Sequence, residues 1–458
     1  MQQLRMFVLG MFLATASAGS LAQEAVNVPA TEEQRQYVCI SGIYPHLAVF
    51  NQPEDPSDRP QHGECGIGAI AVWADRLWYL TYPQHKTMGS NDKLYELDAD
   101  MNVVIRPESV GGTHAARMIH RESEQLILGP YFIDKQRNVR AANLKELRGR
   151  MTAIMRHLDD PANKVYFFDM EGAIYEVDVH TLAVNRLFVK PVPGWHGKGG
   201  YTAQGRVVIA NNGEVGPADG YRHVLVGGPA QGEEAGVLAE WDGKTWRIIE
   251  RKQFCDVTGP GGIEGSPSDD APLWAIGWDK RSVILKLLDH GQWFTFRLPK
   301  GSHTFDPRHG WFTEWPRIRE IASGRLMLCM HGQMFDFPRG FSAQACGGIR
   351  PVCTHLRYIP DFCHWNGRVV LGADDASMMH NPMCGQAQSN LWFGTPEDLR
   401  RFGPTTGWGG VWMDDPVTAD VPSDPFLIAG YKQRVVHIGQ RGDRAVTFSF
   451  EVDRTGNG

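Results

Sequence analysis

Apolar and polar residues alternate along most of the chain in short runs that turn back at Asp, Gly or Asn. Lys93–Arg106, Ala173–Leu187 and Val237–Arg251 each read as an alternating strand, a turn at Asp, and a second alternating strand. A further apolar run precedes each of them, at Arg76–Tyr82, Lys164–Phe168 and Arg206–Asn211, so each unit is a meander of at least three strands. The cadence recurs at Gln125–Asp134, at Pro272–Leu298, at Arg325–Phe337, at Arg368–Gly394 and finally at Phe426–Val452. That makes eight units at intervals of about 40 to 60 residues, the spacing of four-stranded propeller blades. Helical periodicity is nearly missing, and only Pro396–Phe402 predicts a short helical turn.

The expected fold is therefore all-β: a single-domain β-propeller over residues 23–458, with eight blades by count and seven if one unit is an irregular insertion. A pair of β-sandwiches also offers short strands at regular intervals. The propeller is favoured because the hairpins recur in register and no Pro, Ser or charged linker divides the chain. Gly213–Gly236, Thr258–Ala271 and Gly301–Thr313 are expected to be loops on the blade rims.

The opening residues change the picture of where the protein works. Arg5, an apolar run from Met6 to Ala14 and the small-residue exit Ser20-Leu21-Ala22 have the order of a secretory signal peptide over 1–22. An exported protein is expected, periplasmic or secreted. No later stretch approaches the roughly 18 uninterrupted apolar residues of a membrane helix. The formal charge is −6 for the 458-residue chain, and removing Arg5 with the leader makes it −7. That balance gives no footprint for a nucleic-acid backbone, so the expected partners exclude nucleic acid.

The inner strand of a propeller blade lines a central channel, and the residues leading into these strands are polar: Thr113-His114-Ala115-Ala116-Arg117, Arg150-Met151-Thr152, Trp195-His196-Gly197-Lys198-Gly199-Gly200-Tyr201, Glu314-Trp315-Pro316-Arg317-Ile318-Arg319 and Thr354-His355-Leu356-Arg357. Burying His or Arg without partners costs several kcal/mol. Either these groups bond neighbouring blades and plug the channel, or they serve a ligand. In the second case His114, His196 and His355 converge with Arg150 and Arg317, the arginines clamping a carboxylate while a neutral imidazole moves a proton. The glycines at 197, 199 and 200 would leave backbone open to a ligand. Fourteen tryptophans, among them Trp195, Trp315, Trp365, Trp408 and Trp412, suit stacking on sugar faces or packing between blades.

Eight cysteines, at 39, 65, 255, 329, 346, 353, 363 and 384, permit disulfides in an exported chain. The group Cys346, Cys353, His355, Cys363 and His364 also admits a structural zinc site, with irregular spacing. No G-x-S-x-G, H-E-x-x-H or dinucleotide fingerprint occurs, and no repeated sialidase-type box.

Export, blade cadence and axial His and Arg content together resemble the propeller enzymes that attack uronate-containing polysaccharides: ulvan lyases, oligogalacturonate lyases and propeller α-L-rhamnosidases. The resemblance implies a carbohydrate-active enzyme, foremost a polysaccharide lyase acting by β-elimination on an acidic polysaccharide or oligosaccharide. By residue type, His196 or His114 would be the base, Tyr201 the acid, Arg150 and Arg317 the carboxylate clamp, and His355, Trp195 and Trp315 would complete the site. No cofactor is required, although a divalent cation held by the histidines would neutralise the uronate in place of an arginine, and the 346–364 group would hold zinc. A glycoside hydrolase using Glu314 and Asp361 is the first alternative. A non-catalytic propeller binding glycan or protein is the second. The oligomeric state is not encoded in any pattern found.

Overall fold

A computed structural model describes residues 66–82, 86–90, 92–194, 196–213, 236–301, 317–330, 332–355, 358–374 and 389–457, together with strands at 3–9 and 47–49. The alternating runs fold as antiparallel meanders, each hairpin hiding one apolar face against the next sheet. Seven four-stranded sheets result. Their inner strands are Gly66–Trp73, Arg117–His120, Met151–Arg156, Gly197–Ala203, Gln253–Thr258, Arg317–Ala322 and Tyr358–Trp365, which head blades 1 to 7 in order.

Blade 7 closes the ring. Its first three strands, Tyr358–Trp365, Arg368–Asp374 and Ser389–Gly394, are consecutive, but its outer strand is Leu47–Val49 from the start of the chain, antiparallel to Ser389–Gly394. The inner strands of blades 7 and 1 then lie side by side. The ring has seven blades, the lower of the two counts expected, and the Phe426–Val452 unit is the one that is not a blade. Only Val436–Arg441 within it is a strand, and it joins Gln3–Leu9, Trp408–Gly409 and Met413–Pro416 in a sheet outside the ring. Alternation alone does not make a blade: that segment lacks a preceding inner strand to build on.

The C-terminal segment instead straps blade 5 to blade 6. Arg297 forms a bidentate pair with Asp279 at 2.9 and 3.0 Å and donates from Nε to Asp424 at 2.7 Å. The backbone of Lys300 pairs with that of Trp408, whose ring lies under the Lys300 ammonium, and Cys346 N–H donates to Gly456 O at 2.7 Å. The short helix Pro396–Leu399 is present, opened by a capping box between Thr395 and Asp398. No helix among the described residues is long and apolar enough to cross a membrane.

The core lies between blades. Trp274 and Trp278 are fully buried between blades 5 and 6, with Trp274 Nε1 donating to Phe341 O at 3.0 Å; Trp78 is buried between blades 1 and 2, and Trp365 between blades 7 and 1. Burying such indoles contributes a few kcal/mol each, and this is where these tryptophans are used.

Candidate functional site

All seven inner strands run the same way, so the ring has a leading rim, where they begin, and a trailing rim, where they end. In five blades the register slips near the start of the inner strand, between Tyr358 and Asp361 in blade 7 and in the other four at Gly68, Thr152, Lys198 and Cys255, which are extra residues opposite the second strand. A bulge turns its extra residue out of the ordinary alternation, and Thr152 and Lys198 thereby line the axial channel.

The channel is crossed by a network of charges. Arg117 of blade 2 pairs with Asp361 of blade 7 at 3.2 Å, and its guanidinium also donates to Ile70 O of blade 1. Arg319 of blade 6 bridges Asp361 at 3.2 Å and Asp256 of blade 5 at 3.0 Å, while Arg317 lies 3.8 Å from Asp256. Both carboxylates also accept backbone N–H groups, Asp361 from Ile70 at 2.8 Å and Asp256 from Ile318 at 2.9 Å. Burial lowers Arg117 to about 10 against the pull of Asp361. Burial also works against the charge on Arg319, but Asp256 and Asp361 outweigh it and raise its pKa. Five blades are thus joined through two carboxylates and three guanidiniums.

A cavity of about 60 Å³ lies beside this network, lined by Arg117, Arg156, Lys198, Tyr201, Arg317 and Arg319 among others. It holds a handful of waters, well short of the roughly 300 Å³ and above of ordinary small-molecule sites. The segment Gly259–Gly265 covers its trailing end. Ile263 reaches across the axis to pack against the core between blades 1 and 2, and Arg121 donates to Ser266 O at 3.3 Å.

The expected site residues are not gathered there. Only Tyr201 and Arg317 line the cavity. His114 is wedged between blades, its Nδ1 accepting the Met151 N–H at 3.2 Å, and burial lowers its pKa to about 4. His196 is buried in a left-handed conformation, its carbonyl accepting from Asn212 N–H at 3.2 Å. His355 lies at the leading rim with Nε2 at 3.3 Å from Cys329 Sγ. Arg150 pairs with Glu171 at 2.6 Å. Trp195, Trp315 and Glu314 lie outside the described residues. Gly199 serves packing: a Cβ there would sit 2.5 Å from Cys255 O, so the glycine lets the inner strands of blades 4 and 5 touch.

Asp361, weighed as a hydrolase carboxylate, is a structural counterion. The cysteine group does not assemble: Cys346 belongs to the core between blades 5 and 6, Cys353 to that between blades 6 and 7, and Cys363 to that between blades 7 and 1. Among the described residues no three His, Cys, Asp or Glu side chains are grouped to hold a metal, and Cys255, Cys329, Cys346, Cys353 and Cys363 form no disulfide. Asp256 and Arg156 were not singled out from sequence. Asp256 sits in Gln-Phe-Cys-Asp-Val-Thr, too short an apolar run to register as a strand; the signal was the polar start shared with the other inner strands.

No family model matches the chain, and no curated protein matches it. Solved structures similar to it include the Cps50 (Swd1) β-propeller domain of Myceliophteria thermophila, at 11% identity and TM-score 0.41 over 71% of this chain and 96% of that one. U3-55K is similar at 9% identity and TM-score 0.44, over 71% and 95%, and the RRP9 WD40 repeats at 11% and 0.43, over 74% and 99%. These likenesses concern the fold.

The resemblance to uronate-polysaccharide lyases and propeller rhamnosidases is not sustained. The axial channel is narrow, and its guanidiniums Arg117 and Arg319 are engaged by internal carboxylates. The lyase and hydrolase readings fall with it. So does the expected acidic-polysaccharide partner with nucleic acid excluded, since the guanidiniums that were to meet its carboxylates are held by Asp361 and Asp256.

Proposed function

We propose that the chain is a non-catalytic propeller that binds other proteins on its rims and works outside the cytoplasm. The observation that carries this reading is the axial network: Arg117 and Arg319 are held by Asp361 and Asp256, so the charged groups of the channel knit blades together instead of meeting a substrate. A rigid ring whose axis is crossed by ion pairs and keeps only a small cavity leaves its outer surfaces for recognition. Two features support a protein partner. The strand ends flanking 214–235, 302–316 and 375–388 all fall on the leading rim, whereas the trailing rim carries two-residue turns such as Ala74-Asp75, Gln204-Gly205 and Ser323-Gly324 alongside longer connections at 259–272 and 338–349. Long connections gathered on one face of a scaffold are where recognition concentrates. Val103, Val104 and Ile105, on the outer strand of blade 1, are all exposed apolar side chains. The order of residues in 1–22 supports export.

The test has two arms. Incubated with uronate polymers, the protein should produce neither ultraviolet-absorbing unsaturated ends nor new reducing ends; either product would overturn the reading. Chemical cross-linking in the exported fraction of its source cells, followed by peptide mapping, should place partner links on the leading rim. Links confined to the trailing rim, or none to any protein, would overturn it as well.

A further inference from the structure

The sheet outside the ring has a strand of the expected leader at its centre. Val436–Arg441 pairs with positions 3 to 8 of Gln3–Leu9, Met413–Pro416 with positions 3 to 5, and Trp408–Gly409 with positions 8 and 9, all antiparallel. A strand has two edges, so Val436–Arg441 takes one of them and the other two segments share the opposite one. Among the described residues the three C-terminal strands do not pair with one another. Removal of residues 1–22 therefore opens a slot one strand wide, with six residues of ladder bared along one side and three and two along the other.

Both walls are held by groups other than the leader. On one side, Trp408 and Lys300 exchange backbone bonds at 2.9 and 2.7 Å, Gly410 N–H donates to Arg281 O at 2.9 Å, and Arg281 Nη2 donates to Asp415 at 2.9 Å. Lys300 follows the outer strand of blade 5 and Arg281 lies in the turn between its second and third strands, so this wall is fixed to the leading rim. On the other side, Arg434 Nε donates to Ile428 O at 3.0 Å, and Arg441 pairs with Asp414 at 3.1 Å. Asp414 is the extra residue of a bulge opposite Leu4 and Arg5, so this ion pair joins the two walls across the width of one strand.

The strand seated between the walls shows what fits there. Leu4 to Leu9 is apolar apart from Arg5 and extended throughout. Val436 and Ile438, which share a face of their strand, are exposed even with Gln3–Leu9 in place, as is Val435 beside them. An occupant with a body of its own thus has apolar side chains to cover. Two bared edges a strand apart are a template for an added strand. We infer that the mature chain takes an extended apolar segment of a partner protein into this slot, on the leading rim of blade 5. The inference rests on the protein-binding proposal and on removal of the leader.

The protein recovered from the exported fraction of its source cells should begin beyond residue 22 by intact mass; a retained Gln3–Leu9 fills its own slot and would overturn the inference. The probe is a fluorescently labelled synthetic peptide of residues 2–10, whose anisotropy should rise saturably with the mature protein. Successive N–H groups of a strand point to opposite edges, so one of Ile438→Pro and Gly439→Pro removes a donor that faces the slot. That variant should weaken binding by about tenfold or more, and the other much less. Both positions lie outside the ring, and a Cβ at Gly439 meets nothing within 4 Å, so the thermal transition of the propeller should stay in place. No binding, or equal affinity in the parent and both variants, would overturn the inference even where cross-linking finds a partner elsewhere on the leading rim. A mature chain that sediments as a dimer cross-linked through 436–441 would make the occupant a second copy and overturn it as well. Peptide binding with no protein partner in the cross-linking would instead overturn the protein-binding reading, and the occupant with it.

Discussion

Asp361 accepts the Ile70 N–H at 2.8 Å across 291 positions of sequence, and so fastens the last blade of the ring to the first. The same carboxylate faces Arg117 and Arg319, each at 3.2 Å. Removing it takes the carboxylate from buried Arg117, leaves Arg319 with Asp256 alone, and strands a backbone donor. Asp361→Ala is therefore expected to lower the unfolding free energy by on the order of 3 to 5 kcal/mol, measured by denaturant unfolding. Asp361→Asn keeps an acceptor for Ile70 and should cost less. A ring indifferent to Asp361→Ala would mean that Asp256 and the inter-blade cores close it unaided.

Closure has a second component on the outer edge of blade 7, where Leu47–Val49 completes the sheet. Deleting residues 1–22 should leave the thermal transition of the propeller nearly unchanged, because among the described residues Gln3–Leu9 pairs with the C-terminal strands outside the ring and with no blade. Deleting 1–50 should lower it by several degrees, since blade 7 is left with three strands and a bare edge. Equal midpoints for the two truncations would show that the outer strand contributes nothing to closure.

How far the sequence carried the reading follows from what repeats. Middle strands such as Arg206–Asn211 and Leu273–Trp278 are continuous apolar runs because both faces are covered by neighbouring blades, and they were legible at once. Inner strands were legible only by their polar first residues. His114, Arg150 and Arg317 lie where these strands begin, but what they meet is not legible in the sequence, because partners such as Asp256 or Glu171 come from other turns of the chain. Gly199 looked like an opening and is a contact. The last unit misleads for the opposite reason: Ala445–Val452 alternates well, yet among the described residues no strand pairs with it.

The buried thiols offer a measure of how tightly the blades pack. Burial raises Cys329 to about 12, with Arg317 pulling it back, and raises Cys363 to about 12 as well. At pH 8 each carries on the order of a thousandfold less thiolate than a free cysteine. Iodoacetamide should leave both unmodified in the native protein over hours and label them within minutes in denaturant, read by peptide mass spectrometry. Native labelling at the rate of a free thiol would mean that blades 6 and 7 open readily.

Two buried groups should give the stability curve opposite slopes. Burial holds His114 near 4, so between about pH 4 and 6.5 the folded chain binds fewer protons here than the unfolded chain, and stability rises with pH across that window. Asp169 behaves in the reverse sense. Burial, reinforced by the nearby charge of Glu171, raises it to about 7, so from about pH 4 to 7 the folded chain holds the extra proton and stability falls as pH rises. Each contributes on the order of 3 to 4 kcal/mol across its window, which would nearly cancel in the parent protein. The variants separate them. Asp169→Asn keeps an acceptor for the Ala173 N–H, now at 2.7 Å from Asp169 Oδ1, and should leave a curve that climbs between pH 4 and 6.5. His114→Gln should leave one that declines toward pH 7. Denaturant unfolding at half-unit pH steps reads both slopes; identical curves for parent and variants would show that neither group changes its proton affinity on folding.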